Sequence, residues 1–259
     1  MNNVRSDKAV RRKKVIVFDF DGVICDSTEE CLITGYNAWS KYLNKDRFIT
    51  GTAVIPPHLV KYFRFLRGFV KTAGQYYVIF NSYGKKMINN EFEFEKACAG
   101  RKGEMSWYEK LFFECRELLK KQDVKYWMGL HRTYDGITRN FRRVLRAADV
   151  FVATGKDKAS VRDFFEYIGI DFPASKIYDK DTAYDKLAAL RQISGVTHKR
   201  LREIIFLDDN VNHLLMPKRN GCKTFMAGWG YHTEKQLKLS KDKKIPVIGL
   251  EDWVQKILD

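Results

Sequence analysis

The sequence predicts an α/β fold, a parallel sheet covered by helices with an all-α domain inserted into it. Three observations carry that prediction. The segments "VIVFDFDG" (15–22), "DVFVATGK" (149–156) and "EIIFLDDN" (203–210) share one design, an apolar and β-branched run that stops abruptly at small, polar or acidic residues. Near-continuous apolar runs suit strands buried on both faces, as a helix-covered parallel sheet requires. Helical patterns follow the last two of them, which is α/β alternation. The long stretch between the first and second segments has helical periodicity instead.

Taken in order, the first strand pattern ends at Asp19 and Asp21, and the all-α stretch spans about residues 28 to 132. Within it, "HLVKYFRFLRGFVKT" (58–72) is helical and aromatic-rich, and "MSWYEKLFFECRELLKK" (105–121) puts Trp107, Leu111, Cys115, Leu118 and Leu119 at helical spacing. A discontinuous core of 1–27 and 133–259 with a helical insertion at 28–132 is the expected organisation. After the second strand, "KASVRDFFEYIG" gathers Val161, Phe164, Phe165 and Ile168 on one face, and Gly169 supplies the stop. "KLAALRQI" leads into the third strand, "KTFMA" (223–227) and "PVIGL" (246–250) read as further strands, and "EDWVQKILD" is the closing helix.

The chain has 259 residues, 45% of them hydrophobic, enough for a sizeable core. Its formal charge of +15, from 47 Lys and Arg against 32 Asp and Glu, favours anionic partners, phosphorylated metabolites or nucleic acid. A Lys-rich solvated surface accounts for the charge equally well. The cysteines at 25, 31, 98, 115 and 222 are odd in number and form no Cys-x-x-Cys pair, so reduced, mostly buried thiols are expected rather than a disulfide framework or zinc site. The first fourteen residues, "MNNVRSDKAVRRKK", are followed by no apolar h-region, and no stretch reaches the ~18 apolar residues of a spanning helix. A cytoplasmic protein without a membrane partner is the expectation.

Ligands of such sheets sit outside the carboxyl ends of the strands, so Asp19, Thr154 and Asp208 should face one crevice. Asp19 can serve as a nucleophile, and Asp21, on a turn freed by Gly22, can protonate a leaving group and then activate water. Attack of a carboxylate on a phosphate dianion needs a cation, and Mg²⁺ held by the hard oxygen donors Asp208 and Asp209 would supply it. The Thr154 hydroxyl and the backbone at Gly155 suit phosphoryl oxygens. Lys180 and Lys186 are both candidates for charge stabilisation, with Lys186 preferred because it opens the helical pattern before the third strand. Singly, Asp-x-Asp-Gly and Thr-Gly are ordinary turns and Asp-Asp an ordinary helix cap. Their order, each at the end of a separate buried-strand pattern, favours one active site.

"DFDGVICDS", "VATGK", "DKLAAL" and "FLDDN", in that order, resemble the four signature motifs of the haloacid dehalogenase superfamily. The helical insertion after the first motif is similar to the cap of its phosphoglycolate phosphatase and β-phosphoglucomutase branches. The resemblance covers the chain except the basic N-terminus, strongly in the core motifs and weakly in the cap. It implies a Rossmann-like core, Mg²⁺ dependence and an aspartyl-phosphate intermediate. On that resemblance Asp19 is nucleophile and metal ligand, and Asp21 is acid/base and binds metal through its backbone carbonyl. Thr154 and Gly155 bind phosphate, Lys186 stabilises charge, and Asp208 and Asp209 hold Mg²⁺. Dehalogenases of the superfamily typically lack the second aspartate, so Asp21 points to phosphoryl chemistry. The expected activity is hydrolysis of a small phosphate monoester. A nucleic-acid or nucleotide 3′-phosphatase, a phosphomutase and a non-catalytic binding module are the alternatives.

The cap should select the substrate by closing over the crevice. Arg64, Arg67 and Lys71, at i, i+3 and i+7, form a basic stripe suited to an anionic substrate tail, and Tyr76 and Tyr77 either line the same mouth or pack. The histidines lack zinc-site spacing; His213, four residues after Asp209, either orients it or lies at the surface, the latter being preferred. "GWGYH" (228–232) resembles the superfamily's loop beside the active site, with its glycines expected to serve a turn.

Overall fold

The computed structural model describes residues 13–183 and 185–259. The leader expectation and the first half of "RRKK" therefore lie outside the described residues, as does Tyr184. The chain opens with β1 (Val15–Phe18) and β2 (Cys25–Asp26), then runs through α1 (Thr28–Tyr42), α2 (Pro57–Arg67), α3 (Tyr76–Ser82), α4 (Glu91–Ala99), α5 (Lys102–Gln122) and α6 (Val124–Gly129). It returns through β3 (Arg132–Thr133), α7 (Ile137–Ala147), β4 (Asp149–Ala153), α8 (Lys158–Tyr167), β5 (Ile177–Tyr178) and α9 (Lys186–Thr197). Completing it are β6 (Ile204–Asp208), α10 (Val211–Arg219), β7 (Lys223–Ala227), α11 (Glu234–Asp242), β8 (Val247–Ile248) and α12 (Trp253–Leu258).

Six strands form one parallel sheet in the order β5-β4-β1-β6-β7-β8. Every residue of β1 is buried, which explains why its sequence is apolar at each position rather than alternating. Val15 and Val17 face a core layer with Leu190 of α9 and Leu214 of α10, while Ile16 and Phe18 face the other with Phe141 of α7, Phe165 of α8 and Trp253 of α12. The fold is thus the α/β Rossmann-like architecture expected. β5 escaped the sequence pattern because its two residues, Ile177 and Tyr178, stand between Lys176 and Asp179 with no apolar run around them.

The insertion leaves and rejoins the core through a two-stranded antiparallel ribbon, β2 with β3. Between the ribbon strands the described residues form helices and turns without a strand. Two details of the helical reading are corrected. The helix expected over 58–72 ends at Arg67, with Gly68 beyond it. In α5, Trp107 and Leu118 are exposed by 52% and 46%, and Tyr108 and Phe112 take the inner face. Tyr108 Oη donates to the Gly35 carbonyl at 2.7 Å and Phe112 stacks on Tyr76 at 5.2 Å, so a backbone carbonyl on α1 and an aromatic ring on α3 set which of two adjacent apolar stripes turns inward. All five cysteines are free and buried. No described helix is long and apolar enough to cross a membrane.

Candidate active site

Strand register places the central side chains. Phe18 pairs with Leu207 across β1 and β6, and the Asp19 N–H donates to the Leu207 carbonyl at 2.8 Å, so Asp19 emerges beside Asp208. Asp185 caps α9 by accepting the Ala188 N–H at 2.7 Å, which starts the helix at Lys186 and turns its amine back to the strand ends. Lys186 Nζ donates to Asp19 Oδ1 and to the Ala153 carbonyl, both at 2.6 Å, and lies 3.4 Å from Asp208 Oδ2. Lys180 instead pairs with Asp181 at 2.7 Å and sits over the Phe113 ring. The structure therefore brings Lys186, not Lys180, to Asp19.

The strand-end centre is overloaded with negative charge. Burial and the Asp208 carboxylate push Asp19 up to about 6, against the pull of Lys186. Burial works against ionised Asp208 as well, but His213 and Lys186 overcome it and hold that carboxyl low. His213, given a surface position or a role at Asp209 from sequence, lies with Nδ1 3.1 Å from both oxygens of Asp208. Asp209 is pushed well above the carboxylate range by burial and by its two acidic neighbours. Its Oδ2 accepts the Tyr231 N–H, and it packs against Gly22 and Gly230. Donor atoms of Asp19, Asp208 and His213 lie within 4.8 Å of one another. Several buried carboxylates sharing one lysine suit a divalent cation: added positive charge is what this donor set lacks.

The Thr154 N–H is tied to the Tyr178 carbonyl at 2.9 Å, and its hydroxyl accepts the Lys156 N–H at 3.0 Å. Gly155 is exposed, and a β-carbon there would meet open space, so packing alone does not demand glycine at this position. Asp21 lies across the crevice with Oδ1 3.7 Å from Lys156 Nζ. Burial raises its pKa, but Lys156 and Arg67 outweigh this and hold the carboxyl below the usual range.

A sequence model of the haloacid dehalogenase-like hydrolase family matches residues 13–221. The chain belongs to that family, and it is a hydrolytic enzyme. Among solved structures, this hydrolase is similar to a predicted phosphoglycolate phosphatase from Haemophilus somnus, with TM-score 0.65, 16% identity, and coverage of 95% of this chain and 98% of that one. A predicted phosphatase from Clostridium acetobutylicum gives TM-score 0.63 at 16% identity, covering 95% and 99% of the two chains. A haloacid dehalogenase-like family protein from Streptococcus pneumoniae gives 0.60 at 14% identity, covering 95% and 97%. No sequence match to a curated protein was found.

A cavity of about 310 Å³, open to solvent on one side, lies between the strand ends and the cap of the hydrolase. Asp19, Asp21, Thr154, Gly155, Lys186 and Asp209 line it from the core. From the cap side come Arg67, Lys71 and Tyr76, whereas Tyr77 packs on Trp39 and Tyr42. Arg64 is exposed and outside the cavity wall, so the stripe read from sequence is divided: α2 ends at Arg67, and its solvent side carries Arg64.

Sequence reasoning missed one cluster entirely. Glu30 of α1, wholly buried, accepts from Arg116 of α5 at 2.8 and 2.9 Å and from Lys156 Nζ at 3.2 Å. Arg116 also reaches Asp157 at 3.4 Å. Burial opposes charge on Glu30, and Arg116 and Lys156 nevertheless hold its carboxyl well below the usual range. The signal for Lys156 was its place right after Thr154-Gly155; nothing local marks Glu30 or Arg116.

Proposed function

We propose that this hydrolase is a Mg²⁺-dependent phosphatase that cleaves a small phosphate monoester through an aspartyl-phosphate. The observation that carries the reading is the meeting of Asp19 and Asp208, at adjacent parallel strand ends, with Lys186 from the start of α9 at the cavity. Asp19 would attack phosphorus while Asp21, protonated as the bound phosphate's negative charge offsets the Lys156 and Arg67 cations that otherwise keep it ionised, gives that proton to the departing oxygen. Asp21 then takes a proton from water, whose oxygen attacks the phosphorus and releases phosphate, restoring Asp19. Lys186 balances the charge of Asp19, and Thr154 with the Gly155 N–H binds the phosphoryl oxygens. Asp19, Asp208 and the Asp21 carbonyl would hold Mg²⁺ with Asp209 beside them; when bound, the ion supplies the positive charge that lets a carboxylate approach a phosphate dianion.

The cavity volume, at the lower end of small-molecule sites, supports a metabolite over an oligonucleotide. The test is inorganic phosphate release from phosphorylated sugars, acids, nucleotides and 3′-phosphorylated oligonucleotides, with Mg²⁺ and with excess chelator. Release should require the metal and fall by about 10³-fold or more in Asp19→Asn, whose circular dichroism stays native. Full activity of that variant would remove the mechanism, and transfer to sugar phosphate without net release would identify a mutase.

A further inference from the structure

Strands of a parallel sheet all point one way, so the segments that lead into them gather at the end opposite the active site. Four neighbouring strands, β1, β6, β7 and β8, are reached through "KK" (13–14), "HKRLR" (198–202), "KRNGCK" (218–223) and "KDKK" (241–244). These segments hold eleven Lys and Arg and one acid, Asp242, with Glu203 just beyond the second. That is more than half of the chain's excess of +15, and eight of the eleven are exposed. Contacts make them one face. Val15 pairs with Ile204, which sets Lys14 beside Glu203. A β-carbon on Gly221 would lie 3.8 Å from Arg202 Cβ, joining the second segment to the third, and Lys218 Nζ donates to the Lys244 carbonyl at 2.7 Å, joining the third to the fourth. The rest of this edge is balanced, since Asp149 before β4 pairs with Lys176 before β5 at 2.6 Å. On the basic face Glu203 takes Lys199 at 3.4 Å and Arg200 at 3.1 Å, and no other ion pair engages the eleven among the described residues.

We infer that this end of the sheet docks a double-helical nucleic acid through its phosphate backbone, without reading base sequence. Crowded like charges repel, and a polyanion relieves that repulsion while releasing its own counterions. Neighbouring strands lie about 4.8 Å apart, so the four entries span about 14 Å, along which a duplex carries roughly eight charges. The segments contain no Phe, Tyr or Trp and no exposed large apolar side chain. They therefore offer no anchor to a bilayer interface and no platform on which single-stranded bases could stack. Asp19 stands five residues beyond Lys14 along a strand that rises about 3.3 Å per residue, which puts the face roughly 16 Å from the reacting carboxylate. Charge reaches only about 8 Å at physiological salt. Docking there leaves the cavity open and is independent of the phosphatase reading.

Fluorescence anisotropy with a labelled 20-base-pair duplex, DNA or RNA, tests the face, and hydroxyl ends on the duplex keep terminal phosphates out of the active site. The wild type should bind at 50 mM salt with a Kd of about 1 μM and lose about 10²-fold in affinity by 200 mM, the slope of about four phosphate contacts. Arg202→Glu, Lys223→Glu and Lys243→Glu together reverse one charge in each of three segments; binding should weaken about tenfold or more and the salt slope fall by about 3. Lys45→Glu, Lys86→Glu and Lys102→Glu, exposed on the cap, lower the net charge equally and should leave affinity within about threefold of wild type. Both variants should keep the wild-type melting temperature and phosphate release. Should the first not fold, its three single changes, each lowering the slope by about 1, decide. No binding at 50 mM salt, or equal losses in the two variants, would overturn the inference. So would tighter binding to phosphatidylserine vesicles, poly-glutamate or single-stranded DNA than to the duplex. Inhibition of phosphate release by the duplex would place it at the cavity instead and overturn the inference as well.

Discussion

Gly230 and Gly155 show how two glycines of one site obey different rules. A β-carbon on Gly230 would stand 2.2 Å from the Gly22 carbonyl oxygen and 2.4 Å from Asp209 Cβ, contacts that backbone cannot absorb. Gly230→Ala should cost about 1–3 kcal/mol in urea denaturation and displace Asp209, with activity falling alongside. Gly155→Ala, facing open space, should leave the urea midpoint within experimental error and act on phosphate affinity instead. The sequence reading assigned the Gly228–Gly230 pair to a turn, because close approach of a distant Asp209 is a tertiary fact with no local trace. Lys186 was easier: its place at the start of a helical pattern was legible, and only the Asp185 cap that aims it was not. Lys186→Met should lower kcat by about 10²–10³-fold, whereas Lys180→Met, whose amine already serves Asp181, should stay within about tenfold of wild type.

At the scale of elements, legibility followed the physical origin of each pattern. The three motif strands are buried on both faces, so burial is written into every residue and the acidic strand ends stand out against it. Cap helices were legible as helices, but α5 carries two adjacent apolar stripes, and the choice between them belongs to Gly35 and Tyr76 on other elements. Glu30 is the extreme case. In "STEEC" it reads as an ordinary acid in a first helical turn, yet it is wholly buried and ties α1 to α5 and to the loop after β4. Glu30→Gln removes the anion that Arg116 and Lys156 share, leaving only the longer contacts to Asp157 and Asp21, and should destabilise the protein by about 3 kcal/mol. Adding Arg116→Met should recover part of that loss, because the second change removes a buried cation that has lost its nearer anion. A double-mutant cycle in urea measures the coupling, and additive losses would mean the pair contributes no specific interaction.

For the molecule as a whole, strand identities were legible but the sheet order was not, since which strands neighbour β1 depends on pairing among distant segments. The junction of cap and core has a second consequence of the same kind, in acid. His131, next to the returning ribbon, is buried with Nδ1 3.2 Å from the Trp127 carbonyl and Nε2 without a partner. Burial and the Lys156 charge lower its pKa to about 4. Glu30, 3.9 Å away, pulls in the opposite direction, but its charge is already shared by Arg116 and Lys156. An unfolded histidine titrates near 6.5, so between pH 6.5 and 4 the unfolded chain binds the extra proton. Stability from this group is therefore complete above pH 6.5 and declines as pH falls towards 4, by about 3 kcal/mol in all. Glu30 acts in a lower window: its folded pKa is depressed, so its contribution is present above the unfolded value of 4.5 and drains away below it. Asp19 and Asp209, whose folded pKa values are raised, gain stability over the same acid range, so the test is a difference: the urea midpoint of His131→Phe relative to wild type should rise as pH falls from 6.5 to 4 and level off below, where Glu30 acts in both proteins. A difference that stays constant from pH 7.5 to 3.5 would remove His131 from the acid response, whereas one that opens between 6.5 and 4 would show that one neutral imidazole, held beside the Glu30 cluster, weakens the cap-to-core junction in acid.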